Sequence, residues 1–444
     1  MRTPIADFVN KYRASETVRL HMPGHKGVPL LGPEPFDITE VAGADALYEA
    51  EGIIRESEEN AASLFGTRRT VFSAEGSSQC IRAMLFLAAT RSDHPERPLF
   101  VAGRNAHKTF LYGAALMNAE VVWLRQEGAV DLCRAEVTPV QLAETLKALP
   151  ERPAAVYITS PDYLGNEADI RDLAEVCHRY GTLLLVDNAH GAYLKFLSPS
   201  RHPMDLGADL ACDSAHKTLP ALTGAAYLHL SKSAPEGLEE RMKQAMALFG
   251  STSPSYLIMA SLDLCNKVLS ENYEARLAGR VKDLGEVRGR LRDLGWTVPD
   301  TDPLKLTLRA PEGLTGTDLA ECLRRNGLEC EFADPDYLVL MITPDNSRED
   351  LDRIPEILGE NRRPCGKGQS WILPEPEQVM PVRQAVFASC DEISVDAAEG
   401  RIAATPTVSC PPAIPVVCSG ERITREAVEV MHYYGIREIS VVRE

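Results

Sequence analysis

The sequence has no CxxC pair and no Cys/His ligand cluster, although it contains 11 cysteines. Those cysteines (80, 133, 177, 212, 265, 322, 330, 365, 390, 410 and 418) fit neither a zinc site nor a disulfide framework, and read as small buried hydrophobes in a reducing compartment. The N-terminal stretch MRTPIADFVNKYRASETV lacks an apolar signal core, and no run approaches the ~18 apolar residues of a membrane span. Basic charge is in deficit: Lys and Arg number 47 against 64 Asp and Glu, a net charge of −17, which speaks against nucleic acid or an anionic membrane surface as partner. Internal repeats and low-complexity tracts are missing as well. What remains is a cytoplasmic globular chain with no metal centre expected. Its 444 residues, 44% hydrophobic and 25% charged, suffice for a large core and at least one further domain.

Residues 1 to about 18 place Ile5, Phe8, Val9 and Tyr12 on one face of a short amphipathic helix. His21-Met-Pro-Gly-His-Lys-Gly27 then opens an arm with little periodicity that continues to about Gly52, and a second subunit is a candidate surface for it to lie on. From Ile53 to the Gly66 stop the pattern is helical. Strand and helix alternate after that, with strands at 70–73, 98–102, 119–124, 154–159 and 182–186, and helices from Cys80 and over 108–117, 138–148 and 170–180. Such alternation argues for βαβ units and a mostly parallel sheet, in which ligands bind beyond the carboxyl ends of the strands. That rim is expected to gather Ser73–Ser78, Arg104–His107, Ser160–Tyr163, Asp187–His190 and Ser214–Lys217. Beyond Leu230 follow a helix at 238–248, the segment STSPSY, and one long helical stretch from Leu257 to Leu294. An α+β texture begins at Gly295 and runs through the Pro-rich Cys410–Pro415 to a terminal helix and strand. The expected division is an arm (1–52), a large domain (53–275) and a smaller C-terminal α+β domain (276–444).

The chain is organised around Asp209–Leu230, DLACDSAHKTLPALTGAAYLHL, which sets Lys217 on a connection between two buried strands. Upstream, the run Thr182–Val186 ends in Asp187-Asn-Ala-His190. Taken singly, an acid at a strand end commonly caps a helix, and a loop lysine is commonly solvated. Delivered in this order to one crevice, the pair suits pyridoxal phosphate catalysis. The amine forms an imine with the cofactor aldehyde, and the acid keeps the pyridine nitrogen protonated, so that the ring accepts electrons. Ala74-Glu-Gly-Ser-Ser-Gln79, between a strand and a helix, is a phosphate-binding arrangement: Gly76 lets backbone N–H groups approach, and Ser77 and Ser78 donate hydroxyls. An ordinary Ser-capped helix reads the same way. His107 either caps the helix that follows it or stacks on an aromatic cofactor.

With these residues laid out, the chain resembles the ornithine/lysine/arginine decarboxylases, fold-type-I pyridoxal phosphate enzymes, in their short form without an extra N-terminal domain. The resemblance spans nearly the whole chain and is carried by HMPGHKG, FSAEGSSQ, RNAHKTF, TSPDYLGNEADI, VDNAHGAY, DSAHKTLPALTGAAYLH, STSPSY, SLD, PPAIP and SGE. It implies that Lys217 is the Schiff-base lysine, that Asp187 partners the pyridine nitrogen, that His107 stacks on the ring, and that His190 sits near the imine and the substrate carboxylate. It further implies that Ser77, Ser78, Ser214 and His216 hold the cofactor phosphate or its surroundings, and that Thr252 completes a phosphate site across a dimer interface. Activity would be decarboxylation of a basic amino acid (lysine, arginine or ornithine) to CO2 and an amine, as in polyamine biosynthesis, by a homodimer or higher homo-oligomer. The chain departs from the family's pattern where Asn188 and Tyr193 replace Glu and His in Asp-Glu-Ala-His-Gly-Ala-His, where Thr405 replaces a Glu, and where Ser409-Cys410-Pro-Pro-Ala413-Ile-Pro415 stands for Pro-Tyr-Pro-Pro-Gly-Ile-Pro. The same cofactor residues would serve an aminotransferase or another fold-type-I enzyme, and the departures would also suit a non-catalytic homologue with a regulatory or interaction role.

Overall fold

The computed structural model describes residues 1–124, 132–359, 371, 376–406 and 412–444. Cys410 and Pro411 of the expected Pro-rich segment, together with Cys365, lie outside the described residues. In chain order the helices and strands are α1 (Pro4–Arg13), α2 (Ile53–Phe65), β1 (Arg69–Ser73), α3 (Ser77–Ala89), β2 (Leu99–Gly103), α4 (Lys108–Leu116), β3 (Glu120–Leu124), α5 (Pro139–Ala148), β4 (Ala155–Thr159), α6 (Ile170–Arg179) and β5 (Leu183–Asp187). Then come α7 (Pro203–Leu206), β6 (Leu210–Asp213), α8 (Ala215–Thr218), β7 (Ala226–Leu230), α9 (Met242–Leu248), α10 (Tyr256–Ser270), α11 (Tyr273–Asp293), β8 (Lys305–Arg309), α12 (Gly316–Arg325), β9 (Phe332–Ala333) and β10 (Tyr337–Met341). The chain ends with α13 (Arg348–Gly359), α14 (Val382–Phe387), β11 (Cys390–Ser394), α15 (Arg425–Tyr433) and β12 (Glu438–Val442). The alternation read from the sequence is therefore present, and the fold is α/β. Residues 1–91 with 170–275 cluster into one compact unit, and 92–169 with 276–444 into another.

In the first unit the strands lie in the order β1-β7-β6-β5. β5 and β6 are parallel, with Leu185 opposite Leu210 and Asp187 opposite Cys212. Both are buried along their whole length, which is why they read as near-continuous apolar runs rather than alternating ones. β7 returns antiparallel to β6, and β1 runs antiparallel to β7, because the link from Asp213 to Ala226 contains only the one-turn α8 and no crossover helix. In the second unit β4, β2 and β3 are parallel neighbours. The C-terminal part of that unit is antiparallel, as a three-stranded sheet β8-β10-β9 and a two-stranded sheet β11-β12. Leu319, Leu323, Leu351 and Leu358 of α12 and α13 pack with Leu306, Leu308, Leu338 and Leu340 of the three-stranded sheet.

Two expectations change. The long helix over 257–294 is two helices, α10 and α11, separated where Glu271 leaves helical geometry (φ −97°, ψ −97°). Ser270 and Asn272 flank the break, and both are residues whose side chains compete with helical backbone bonds. The N-terminal helix ends at Arg13, well short of residue 18, with Ile5 and Val9 buried.

Two buried acids, neither assigned a task from the sequence, hold distant segments. Thr3 at the start of α1 makes no side-chain cap. Asp263 of α10 caps it instead, its Oδ2 accepting the N–H groups of Ile5 (2.9 Å) and Ala6 (3.0 Å) while Ser57 donates to Oδ1. In the second unit, Arg104 donates to the carbonyls of Pro415 and Val416 (3.2 and 3.0 Å) and to Glu421 Oε2 (3.1 Å), its guanidinium 5.3 Å from the Trp123 ring centroid. Glu421, only 1% exposed, also accepts the Cys418 N–H at 2.7 Å. The acids in the SLD and SGE motifs are thus anchors.

Removing one partner of a buried pair strands the other. Glu421→Ala should destabilise by roughly 2–3 kcal/mol, below the largest such costs because Arg104 keeps two carbonyl acceptors; urea unfolding followed by tryptophan fluorescence measures it. Asp263 carries a pH signature. Burial outweighs its donors and lifts its pKa from 3.8 to about 6. The folded chain then retains a proton that the unfolded chain releases above about pH 4, so stability falls as pH rises towards about 6 and levels off beyond it. Asp263→Asn, whose carbonyl can still cap α1, should flatten the dependence of the urea midpoint on pH between 4 and 7.

Candidate active site

The first unit brings the ends of β5 and β6 to one edge because the strands are parallel and in register there. Asp187, the last residue of β5, is 3% exposed. Its Oδ1 accepts the Ala189 N–H at 3.2 Å and the Cys212 thiol at 3.6 Å. The turn after it is tight, with the Gly191 N–H bonded to the Asn188 carbonyl at 2.8 Å, and it presents His190.

From β6 the chain passes through Ser214 into α8, whose single turn bonds the Lys217 N–H to the Ser214 carbonyl. Lys217, half-buried, reaches His190 with Nζ 3.0 Å from Nε2. Amine and imidazole therefore share a proton-exchange distance, the imidazole three residues after the buried Asp187. His216 turns its ring to the Ala225 carbonyl, Nδ1 donating at 2.9 Å, and its own N–H bonds the same oxygen. It fastens the link between β6 and β7.

The third component is the N-terminus of α3. Gly76 has φ 74° and ψ 177°, a conformation closed to side-chain-bearing residues, and its N–H bonds the Gly224 carbonyl at 2.7 Å. Gly224, at φ 95°, is in a backbone conformation that favours glycine, and a Cβ there would also lie a tight 3.1 Å from the Ala74 carbonyl oxygen and from Ile258. The two glycines let the Ala74–Ser77 turn close on the Ser214–Gly224 link, and Ser214 Oγ donates to Ser77 Oγ at 2.8 Å. Converging hydroxyls at a helix N-terminus favour an anion. Ser78 lies in the same first turn, half-buried.

Thr252 is exposed, on a loop that touches this turn of the same chain through the Ser251 N–H and Glu75. His107, in the second unit, caps α4: Nδ1 accepts the Thr109 N–H at 3.1 Å, which assigns the ring proton to Nε2. Capping, one of its two readings, is realised. Of the arm's acids, Asp45 is committed, its carboxylate accepting N–H groups of Ala46, Glu51, Gly52 and Ile54 ahead of α2. Those four bonds outweigh burial and hold its pKa below the ordinary value. Asp37 lies 3.2 Å from His25 Nε2.

The departure at 188 has a local cause. Asn188 is fully buried and its Nδ2 donates to Asp213 Oδ1 at 2.6 Å; a Glu there would set carboxylate against carboxylate. Nothing in the structure explains Tyr193, which is buried, or Thr405, which is half-buried. Asp213 and the histidines around it, His202 and His229, went unnoticed in the sequence because they come from three separate elements with no common spacing. For a pyridoxal phosphate group the residues fit: an amine, a buried acid and an anion-favouring helix start are joined by Lys217–His190 and Ser214–Ser77 contacts.

The family model "Orn/Lys/Arg decarboxylase, major domain" matches residues 3–298, and that family's C-terminal domain matches residues 370–440. An uncharacterized Bacillus subtilis protein, YaaO, is 31% identical over 97% of this chain and 93% of its own length. Arginine decarboxylase of Bacillus subtilis is 29% identical over 96% of this chain and 92% of its own. Among solved structures, the lysine decarboxylase LdcF of Francisella novicida superposes with a TM-score of 0.80 at 15% identity, covering 99% of this chain and 81% of that one, a likeness of fold. With a family model spanning well over half its length, the chain belongs to the Orn/Lys/Arg decarboxylase family.

Proposed function

We propose that this protein is a pyridoxal 5'-phosphate-dependent decarboxylase of a basic amino acid (lysine, arginine or ornithine), releasing CO2 and the corresponding amine. The observation that carries the reading is the 3.0 Å pairing of Lys217 Nζ with His190 Nε2, one turn of chain from the buried Asp187. When bound, the cofactor supplies an aldehyde for amines to engage and a ring that withdraws electrons from the α-carbon. The chain's residues supply the rest. Lys217 offers the amine that holds the cofactor and that the substrate amine replaces. Asp187, stripped of solvent, holds a proton at the ring nitrogen. Ser77, Ser78 and Ser214 hold the phosphate at the start of α3. His216 keeps the link behind Lys217 in place, and His107 is assigned to the ring face. His190 shares a proton with Lys217 and directs it to the α-carbon once CO2 has left.

In the same reading the large domain (53–275) binds the cofactor, residues 276–444 form a smaller C-terminal α+β domain, and the protein works in the cytoplasm as a homodimer or higher homo-oligomer in which Thr252 serves the neighbouring subunit's phosphate. Acids of the arm or of a second subunit would meet the distal cation of the substrate; of the arm candidates Asp37, Glu40 and Asp45, the last is committed to the approach to α2. The amine product is of the class that polyamine biosynthesis uses.

Incubating the cofactor-loaded protein with lysine, arginine and ornithine, with mass-spectrometric detection of amines, tests this directly. One amine should dominate. Lys217→Ala should lose both the visible absorbance of the bound cofactor and amine formation, and an active Lys217→Ala protein would sink the assignment. His190→Gln should keep the absorbance and lower kcat by roughly a hundred- to ten-thousand-fold.

A further inference from the structure

Asp213 closes β6, and because side chains alternate along a strand it points away from the face where Cys212 meets Asp187. There it forms a cluster with His202 and His229, all three fully buried. Its Oδ2 receives both imidazoles, His202 Nε2 at 2.9 Å and His229 Nε2 at 3.1 Å. His202 Nδ1 accepts the Met204 N–H, so the ring proton is on Nε2. His229 Nδ1 faces Thr70 Oγ1 at 2.8 Å, and Thr70 in turn faces Thr67 Oγ1 at 2.8 Å. The spacing of these ligand atoms would suit a metal ion, but a nitrogen that carries a proton into a carboxylate has no lone pair to offer one. Rings enclose the cluster: Phe65 lies 5.4 Å from His202 and 4.5 Å from His229, centroid to centroid. Burial opposes the charge on Asp213, yet the two imidazoles hold its pKa well below the ordinary carboxylate value.

The remaining oxygen of Asp213, Oδ1, takes the Asn188 amide at 2.6 Å. Asn188 is held at two further points, its N–H donating to the Cys212 carbonyl (3.0 Å) and its carbonyl accepting the Gly191 N–H (2.8 Å). Its side-chain oxygen, buried, has no hydrogen-bond donor among the described residues. The bond to Asp213 is therefore the side chain's one polar tie. Asp187 precedes Asn188, and His190 follows two residues later.

We propose that Asn188 is a positioning residue: donating to an Asp213 that His202 and His229 hold from behind, it sets the turn that presents Asp187 and His190 to the cofactor and to Lys217. The inference rests on the pyridoxal phosphate reading above. It makes the buried cluster on the far side of the strand a brace for the site.

The test is a reciprocal exchange, with Asn188→Asp, Asp213→Asn and the double variant N188D/D213N compared with wild type. Each apo protein is titrated with pyridoxal phosphate, and the dissociation constant, the pH midpoint of the visible band and the apo melting temperature are recorded. Asn188→Asp faces one carboxylate with another and should weaken cofactor binding by at least about tenfold and move the pH midpoint. Asp213→Asn should stay within about threefold of wild type, since Asn188 can turn its unused carbonyl to the new amide. The double variant, with an amide again donating to a carboxylate, should recover most of the loss. Should Asn188→Asp fail to fold, Asn188→Ala carries the same expectation for binding and midpoint. Unchanged binding and midpoint with only the melting temperature lowered, or losses that simply multiply in the double variant, would overturn the proposal. A wild-type chain that gives no visible band would overturn the cofactor reading and this proposal with it.

Discussion

Parallel pairing of β5 with β6 is the constraint from which the site follows. Setting Asp187 opposite Cys212 ends both strands at one edge, so that two short turns, Asn188–Gly191 and Ser214–Lys217, leave side by side. A register slip of one residue would reverse the facing of each side chain along β6, taking Cys212 away from Asp187 and Asp213 away from its histidines. Neither strand can slip cheaply, because both are buried throughout and the polar residues at their ends are partnered on opposite faces.

Three buried acids are handled in one way: each meets at least one donor brought from a distant part of the chain. Asp263 takes two backbone N–H groups from α1, Glu421 takes Arg104 and the Cys418 N–H, and Asp213 takes two imidazoles and an amide. A desolvated carboxylate without such donors would be neutralised or expelled. This bookkeeping of donors explains why Asn stands at 188, where a second carboxylate would have nothing to accept from. Asp187, at the end of β5, is the acid the proposed cofactor would meet.

The N-terminal arm bonds both within itself and to the helices of its unit, Lys243 of α9 donating to the Leu47 carbonyl and Tyr256 of α10 to the Asp45 carbonyl. Arg19 donates to the carbonyls of Pro35 and Asp37, His25 pairs with Asp37, and Asp45 caps the approach to α2. Its apolar side chains Val18, Leu20, Leu30 and Leu31 are largely exposed.

The sequence by itself determined the element types and their order, since apolar runs, amphipathic periods and Gly or Pro stops are local signals; α2 with its Gly66 stop and β5 ending in Asp187 were legible, and α3 was read from Cys80, three residues past its start at Ser77. It also supplied the candidate residues, because Lys217, His190, Ser77 and Ser214 sit in turns directly after or before those elements, where position along the chain predicts position on the rim. Its errors were local too: the break at Glu271 and the early end of α1 arise from capping and from a single non-helical residue, which a hydrophobic pattern does not resolve. Only the tertiary structure decided the long-range pairings, namely Asn188 with Asp213, Asp213 with His202 and His229, Asp263 with α1, and Arg104 with Glu421. These depend on which strands lie side by side and which face a side chain takes. No spacing along the chain encodes a hydrogen bond between residues 25 or 258 positions apart.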